Sequence, residues 1–366
     1  MDPYYSSRYS SWTNPSIYGK EKNPKPSAPA LVPYTSVKII TLNTFQIPWL
    51  TSAYNKIANR ISTPVEHDTR GDNCRDQELR ATRLIEEIKD YDIVALQEMW
   101  GSNMDTIHTA MKEQGLAMPD ELTSHIVSGR MAEYYNHKSV ISKQIGGLFF
   151  GTKAPIIWYR HHRFTNDTGE QYLSKGVGFA LLDMNEYWEG KYLLVCNVHM
   201  FSAHKTEDRE ERQKQRNEIN EEFVKIHKEE LFPLGFSWEN CGVVLVGTFN
   251  TPYFRNDRMG RMTEYLKLTC DFAPRAGATQ DFYIQLHPDC QRVFTYDFVN
   301  NSYFNHDNRD DAARLDYILG LSSIPGENGA RTSVMQLEAT KCDINRNEEC
   351  SDHFAVIASL RPLNMF

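Results

Sequence analysis

The sequence predicts an α/β fold, because apolar strands alternate with amphipathic helices along the chain. An apolar strand at 36–43 is followed by a helix at 77–90, whose apolar residues recur at the spacing of one helix face, and by a strand at 92–96. The most pronounced strand lies at 243–250, with the sequence VVLVGTFN. Its apolar, mostly β-branched residues are bounded by glycine, which indicates a buried central strand.

The remaining segments continue this alternation. A helix at 104–112 precedes strands at 146–151 and 156–159, which we interpret as a pair around Pro155. The later segments are strands at 176–183, 192–197, 315–319 and 355–360, and helices at 207–230 and 262–268. Ile219, Phe223 and Ile226 share one side of the charge-dense helix at 207–230, so we expect its charges to form a solvated face.

The bulk properties narrow the class of protein. Of the 366 residues, 40% are hydrophobic and 24% are charged, which is typical of a soluble globular protein with a core. The formal net charge of −8 argues against sequence-independent nucleic-acid binding, which depends on Lys and Arg neutralising phosphates. No run is long enough to span a membrane, and no signal-peptide pattern is present. Seven cysteines without metal-ligand spacing indicate reduced thiols in a cytoplasmic protein.

Residues 1–35 differ in character from the rest of the chain. Tyr and Trp alternate with Ser and Arg, a proline-rich stretch follows, and apolar periodicity is absent, so this segment is not expected to fold alone. It is either a disordered leader or a docking arm whose aromatic side chains anchor in a protein partner. We favour the docking arm, and we place the folded domain at 36–366.

Polar side chains occupy the ends of several predicted strands. They are Asn43, Glu98, His199, Asn250 and the pair Asp352-His353, while Asp316 lies within the segment RLDYIL. Taken singly, each has an ordinary explanation, such as a turn asparagine or a hydrogen-bonded core histidine. Together, acids, amides and histidines at the ends of different strands form the pattern of an active site. Hard oxygen ligands suit Mg²⁺, and hydrolysis of a phosphodiester needs a base and a stabiliser of phosphoryl charge.

These ordered motifs carry a family resemblance over nearly all of 36–362. They are TLNTFQIP with Asn43, DIVALQEMW with Glu98, NVHM with His199, GTFN with Asn250, RLDYIL with Asp316, and the triplet Ser351-Asp352-His353. The chain resembles the endonuclease/exonuclease/phosphatase superfamily, which includes pancreatic deoxyribonuclease and the neutral sphingomyelinases. Two further segments are similar to segments of sphingomyelinases: Lys175-Gly176-Val177, and Thr295-Tyr296-Asp297 followed by Asn300 or Asn301.

The resemblance implies both the fold and the metal. The expected architecture is a four-layer α/β/β/α sandwich, in which two mixed sheets pack together with helices outside. The resemblance also implies that Glu98, with help from Asn43, holds Mg²⁺, with Mn²⁺ as the second candidate ion.

It further implies the roles of the remaining site residues. His353 is the expected general base, and Asp316 orients it. His199 and Asn250 are expected to stabilise the phosphoryl group during the reaction. Asp352 is expected to support the metal or the water network.

Thr248 departs from the family pattern. The superfamily motif is Gly-Asp-Phe-Asn, whereas this chain has Gly-Thr-Phe-Asn, so a neutral hydroxyl replaces a carboxylate. Loss of a positioned general acid or base typically lowers the rate roughly 10²–10⁴-fold. Thr favours strands, so we expect the fold to be indifferent to the change.

The sequence therefore predicts a Mg²⁺-dependent phosphodiesterase of the sphingomyelinase-like type with reduced activity. Its substrate would be sphingomyelin or another phospholipid, and the protein would be cytoplasmic, peripheral to a membrane or to a larger assembly. Two alternatives stay open. One is a catalytically inactive family member that acts as a binding or structural protein through its N-terminal arm, and the other is a nuclease.

Overall fold

The computed structural model describes thirteen segments of the chain. They are 34–46, 77–99, 103–119, 147–165, 175–202, 206–231, 236–253, 258–272, 279–290, 293–297, 300–301, 312–346 and 350–363. They contain two large sheets and several helices, so the predicted α/β fold is confirmed.

The first sheet has five strands. Their bounds are Val37–Gln46 (β1), Ile93–Met99 (β2), Phe149–Thr152 (β3), Leu337–Asn345 (β12) and Ala355–Pro362 (β13). The strand order is β12-β13-β1-β2-β3. β1 pairs parallel with β2 and antiparallel with β13, so the ends of β1 and β2 lie beside the start of β13.

The second sheet has six strands. Their bounds are Ile156–Arg163 (β4), Gly176–Asp183 (β5), Tyr192–His199 (β6), Cys241–Thr248 (β7), Thr279–Asp281 (β8) and Asp316–Leu321 (β9). The strand order is β4-β5-β6-β7-β9-β8. β7 is parallel to β6 and antiparallel to β9, so β9 starts where β6 and β7 end. The strands Ser323–Pro325 (β10) and Arg331–Ser333 (β11) form a separate antiparallel pair.

Five α-helices accompany the sheets in the described segments. Their bounds are Gln77–Ile88 (α1), Met104–Glu113 (α2), Thr206–Ile226 (α3), Arg258–Asp271 (α4) and Phe282–Leu286 (α5). Buried side chains of α1 and α2 pack on one face of the first sheet, and those of α3 and α4 pack on one face of the second. These four helices therefore cover the sheets on which their apolar sides pack, whereas Phe282 and Tyr283 of α5 lie in the core between the sheets.

Strand β7 shows how the layers are stacked. All eight of its residues are buried. Val243 and Leu245 face the core shared with α3 and α4, whereas Val244 and Val246 face the core between the two sheets. Because both faces are covered, the strand is a continuous apolar run. The predicted four-layer α/β/β/α sandwich is confirmed.

The predicted strand pair around Pro155 is wrong. Strand β3 pairs with β2 in the first sheet, whereas β4 pairs with β5 in the second. Pro155 lies between the two strands and has no N–H for a sheet ladder, so one ladder ends before it. The chain crosses from one sheet to the other at this point, which the local sequence pattern does not reveal.

The predicted solvated face of α3 is also wrong for part of the helix. Arg212 and Arg216 are buried and pair with Glu264 and Asp271 of α4, at 2.6 Å and 2.7 Å. Glu218 is buried as well and accepts a hydrogen bond from His162 of β4. Partners from other elements compensate these charges inside the protein, and helical periodicity cannot show such partners.

Residues 34 and 35, just before the predicted start of the domain at 36, contact the folded part of the chain. The indole N–H of Trp188 donates to the carbonyl of Thr35 at 2.8 Å, and Tyr34 packs against the core between the sheets. Of the predicted docking arm at 1–35, residues 1–33 lie outside the described residues. Within the described segments no helix is long and apolar enough to cross a membrane. No disulfide joins the cysteines of these segments.

Candidate active site

The predicted site residues lie at the same end of the two packed sheets. In the first sheet, Asn43 and Glu98 lie near the C-terminal ends of β1 and β2, and Asp352 and His353 precede β13. In the second sheet, His199 ends β6, Asn250 follows β7 and Asp316 begins β9. The prediction that the Asp352-His353 pair follows a strand is wrong. The pair precedes β13, and the antiparallel direction of β13 brings it to the same end of the sheet.

Two contacts between pairs of the predicted site residues connect the sheets. The Nδ1 atom of His353 donates to a carboxylate oxygen of Asp316 at 2.7 Å, and both side chains are buried. The Nε2 atom of His199 lies 3.4 Å from a carboxylate oxygen of Glu98. In each contact one residue comes from the first sheet and the other from the second. The site therefore exists only when the two sheets are packed together.

Thr248 is the last residue of β7. Its hydroxyl donates to the second carboxylate oxygen of Asp316 at 2.6 Å and lies 3.3 Å from the amide oxygen of Gln97. The preceding Gly247 has a φ of 126°, and a Cβ atom there would clash with the carbonyl of Val198. The backbone conformation at the end of β7 therefore requires glycine at position 247.

Two site residues have left-handed backbone conformations. The φ angle is 56° at Glu98 and 51° at Asn250, a region that residues other than glycine rarely adopt. Such strain persists only where the surrounding structure imposes it, and it is concentrated at functional sites. These two positions therefore have a backbone signal of function in addition to their chemistry.

Asn250 and Lys175 converge on one main-chain group. The Asn250 amide donates to the carbonyl of Met200 at 2.7 Å, and the buried Lys175 ammonium donates to the same oxygen at 3.2 Å. Met200 directly follows His199. A cation and an amide are thereby held beside the histidine, on the side of the second sheet.

The loop before β13 is fixed against β1. The hydroxyl of Ser351 donates to the carbonyl of Asn43 at 2.5 Å, and its oxygen accepts the main-chain N–H of His353 at 3.2 Å. Ser351 Oγ also lies 3.2 Å from a carboxylate oxygen of Asp352. The side chain of Asn43 is turned back on its own strand, where it accepts the N–H of Phe45 at 3.1 Å.

The carboxylate of Glu98 is strongly favoured in its charged form. Burial would raise its pKa, but the hydrogen bond and charge of His199, the charge of Lys175 and the hydrogen bond of Asn43 lower the pKa to about 2. Glu98 is therefore ionised at every physiological pH.

The pKa values of two further site residues, His353 and Asp352, are raised. Burial would lower the pKa of His353, but Asp316, Asp352 and Glu98 raise it to about 9. Burial raises the pKa of Asp352 to about 6, and the charge of Glu98 adds to the effect, against the opposing charges of His353 and Arg80. At neutral pH the imidazole of His353 is therefore a cation among acids.

The oxygen donors fit a hard divalent cation. No group of three or more His, Cys, Asp or Glu side chains is arranged to hold a metal ion within the described segments. Mg²⁺, however, is often held by one or two carboxylates and otherwise keeps its waters. Glu98 is ionised and contacts Asn43, and it repels the charged form of Asp352, a repulsion that a bound cation would relieve. Glu98 and Asn43 are therefore the residues that could hold the ion.

Sequence reasoning missed two residues that support the site. Gln97 is fully buried, and its amide donates to Asn197 of the second sheet at 2.7 Å and to Thr41 at 3.0 Å. Arg80 is buried in α1 and donates to the carbonyls of Cys350 and Thr44, at 2.9 Å and 2.6 Å. A signal existed for Arg80, because it lies four residues before the apolar Leu84 on the buried side of its helix.

Comparison with known proteins gives the same assignment for the fold. A family model described as the Endonuclease/Exonuclease/phosphatase family matches residues 69–353. Similar solved structures include sphingomyelinase C from Streptomyces griseocarneus, with 17% identity, coverage of 88% of this chain and 99% of that chain, and a TM-score of 0.50. TDP2 from D. rerio, complexed with a single strand DNA product, has 14% identity, coverage of 89% and 99%, and a TM-score of 0.51.

A third similar structure is beta toxin from Staphylococcus aureus, with 16% identity, coverage of 88% of this chain and 99% of that chain, and a TM-score of 0.50. At these identities the likeness shows the fold alone. A comparison with curated protein sequences gave no match.

Proposed function

The chain belongs to the Endonuclease/Exonuclease/phosphatase family, and on this premise we propose that it is a Mg²⁺-dependent phosphodiesterase of the sphingomyelinase-like type with reduced turnover. The observation that carries the proposal is the 2.7 Å contact between His353 and Asp316, which joins the two sheets beside Glu98 and His199. A histidine held by a buried carboxylate is the arrangement of a general acid or base. An ionised glutamate and a second histidine next to it suit a phosphodiester substrate.

In this proposal Glu98 and Asn43 hold Mg²⁺, and Mn²⁺ is the second candidate ion. The bound ion would supply charge stabilisation at the phosphoryl oxygens. Asp352, buried near Glu98, supports the metal or the water network. Its pKa of about 6 means that it is largely ionised at neutral pH, when it adds negative charge to the site.

The residues of the second sheet bind the substrate phosphate. The imidazole of His199 and the amide of Asn250 are the proposed donors to its non-bridging oxygens. Lys175 adds positive charge next to His199, because its ammonium is buried against the Met200 carbonyl. This side of the site is therefore proposed to attract an anionic group, while the carboxylates of Glu98 and Asp352 lie on the side of the first sheet.

His353, oriented by Asp316, is the proposed general base. Its pKa of about 9 means that the imidazole is protonated at neutral pH in the metal-free protein. Because Glu98 and Asp352 contribute to this raised pKa, neutralising their charge lowers it and frees Nε2 to accept a proton. Water activation by His353 is thereby linked to the charge state of the neighbouring carboxylates.

Thr248 is the reason for the reduced turnover. Its single hydroxyl proton is directed to Asp316 at 2.6 Å, so the group neither carries a negative charge nor has a proton available for the substrate. The resulting loss is on the order of the general acid–base contribution of about 10²–10⁴-fold. The proposed inactive alternative, a protein that keeps the fold for binding, rests on the same residue.

The proposed substrate is sphingomyelin or another phospholipid. This choice rests on the sphingomyelinase-like segments at Lys175-Gly176-Val177 and Thr295-Tyr296-Asp297, and on the net charge of −8, which disfavours the nuclease alternative. A substrate in a bilayer would require the protein to act at a membrane surface.

The test compares Thr248→Asp with wild type and with Thr248→Val, which keeps the shape of Thr but removes the hydroxyl. Hydrolysis of sphingomyelin vesicles and of a simple aryl phosphodiester is measured with Mg²⁺ and with a chelator. Since the new carboxylate would face Asp316, and like charges raise one pKa of such a pair, rates are taken from about pH 5 to about pH 9.

We expect Thr248→Asp to gain about 10²–10⁴-fold, to require Mg²⁺, and to lose the gain when His353→Ala is added. High wild-type turnover would contradict the role given to Thr248. Absence of turnover in every variant would favour the inactive binding protein, and cleavage of DNA but not of lipid would favour the nuclease.

A further inference from the structure

Residues 295–297 lie between the two chain segments that lead into β9 and β13, beside the His353–Asp316 pair. The main-chain N–H groups of Thr295 and Tyr296 donate to the carbonyl of Ala313, at 3.1 Å and 3.0 Å, and Ala313 donates back to Tyr296 at 2.9 Å. On the other side, the N–H of Phe354 donates to the carbonyl of Thr295 at 2.7 Å. Ala313 lies just before Asp316, and Phe354 follows His353. We call residues 295–297 the bridging segment, because it is bonded to the main chain next to both members of the pair.

The side chain of Thr295 contacts the main chain of Asp316 directly. Thr295 is fully buried, and its Oγ1 accepts the N–H groups of Leu315 at 2.9 Å and of Asp316 at 3.2 Å. These two N–H groups lie where β9 begins, so the hydroxyl fixes the backbone from which the Asp316 carboxylate projects. A side chain of equal size without an oxygen would leave both N–H groups without this acceptor.

The side chain of Tyr296 contacts the other member of the pair. Its ring lies edge-on to the imidazole of His353, with the centroids 5.1 Å apart and the planes at 60°. Tyr296 and His353 are also opposite each other in an antiparallel bridge. The ring therefore limits the rotation of the imidazole and favours the orientation in which Nδ1 faces Asp316.

We propose that the bridging segment is the positioning device of the candidate site, with Thr295 holding Asp316 and Tyr296 holding His353. Neither residue is expected to touch the substrate. The inference rests on the proposed function only in that the pair serves catalysis; the geometric part stands by itself. The sequence motif Thr295-Tyr296-Asp297, which no catalytic role explained, thereby has a physical function.

The decisive variants are Thr295→Val, which keeps the branched shape and removes the hydroxyl, and the matched control Thr295→Ser, which keeps the hydroxyl. The readout is the downfield proton resonance of the His353 Nδ1–H bonded to a carboxylate, assigned by its disappearance in His353→Gln. We expect Thr295→Val to shift or abolish this resonance and Thr295→Ser to retain it. An unchanged resonance in Thr295→Val would overturn the proposal. If that variant does not fold, Tyr296→Leu replaces it, and an unchanged resonance there would have the same consequence.

Kinetics then separate positioning from substrate binding. In the Thr248→Asp background, Thr295→Val should lower kcat by about 10²-fold with little change in KM, and Thr295→Ser should restore most of the loss. A rise in KM at constant kcat would assign Thr295 to substrate binding and contradict the proposal. If no variant turns over substrate, the proposed function fails, while the resonance of His353 still decides whether the bridging segment positions the pair.

Discussion

The imidazole of His353 and the carboxylate of Asp316 lie 2.7 Å apart although they belong to different sheets. The raised pKa of His353, about 9 against an ordinary value of 6.5, is mainly the result of this contact winning over burial. A raised folded-state pKa gives stability that is fully present below about pH 6.5 and is lost as the pH rises through about 9.

We therefore expect the unfolding free energy of the metal-free protein to fall by about 3 kcal/mol between these pH values. Asp316→Asn should remove most of that dependence, because the amide does not attract a proton to the ring. Chemical denaturation across this pH window measures the effect. An equally steep dependence in Asp316→Asn would mean that another group is responsible.

The negative charge of Asp352 should destabilise the metal-free protein at neutral pH. Its pKa of about 6, against an ordinary 3.8, means that its favourable contribution is present below about pH 3.8 and is lost as the pH rises through about 6. Asp352→Asn, which can still accept the Ser351 hydrogen bond, should stabilise the metal-free protein by about 3 kcal/mol at neutral pH and have a much smaller effect in acid. Thermal melts at both pH values check this, and destabilisation at neutral pH would contradict it.

Glu98 should be the main determinant of ion affinity. Glu98→Gln keeps the size and removes the charge, so calorimetric titration with Mg²⁺ or Mn²⁺ should show at least about tenfold weaker binding than wild type. The matched control is Glu86→Gln, an exposed position that pairs with Lys89 on the surface of α1. Equal affinity in Glu98→Gln and wild type would remove Glu98 from the site.

The buried ion pair between α3 and α4 should be sensitive to the loss of one partner. Arg212 and Glu264 share two hydrogen bonds, at 2.6 Å and 3.1 Å, and both side chains are 3% exposed. Glu264→Gln should cost about 3–5 kcal/mol, and the double variant Arg212→Met, Glu264→Leu should recover most of it. Lys89→Ala, which breaks the exposed pair with Glu86 on α1, should change stability by less than about 1 kcal/mol.

The N-terminal segment should be dispensable for folding. Because Trp188 bonds to Thr35, a deletion that tests the docking arm should end at residue 33. Deleting 1–33 should leave the melting temperature nearly unchanged and abolish co-purification of a partner. A large drop in melting temperature would show that the segment is part of the folded domain.

The sequence predicted the elements better than their pairing. Apolar runs such as 243–248 identify buried strands because burial on both faces demands such residues. The separation of β3 and β4 into different sheets was not predictable, since a short connection through Pro155 is equally compatible with a hairpin. The buried charges of α3 were missed because Glu264, the partner of Arg212, lies far along the chain.

The candidate site shows the same division. Motifs pointed to Glu98, His199, Asp316 and His353, because each of these residues is close in sequence to an apolar strand. They did not reveal the role of Thr295, whose hydroxyl bonds the main chain of a strand about twenty residues later. Contacts between distant segments depend on packing, and no local pattern records them.

Gly247 and Thr248 lie next to each other at the end of β7, but the fold tolerates substitution at these two positions very differently. At Gly247 any side chain would collide with the neighbouring strand, so a substitution there threatens folding itself. At Thr248, one residue later, the hydroxyl fits a buried hydrogen bond, and the strand accepts the residue without strain. The fold therefore accommodates a neutral hydroxyl at position 248 in place of the carboxylate of the family motif. Among descendants of such a chain, position 247 should stay invariant long after position 248 has begun to drift.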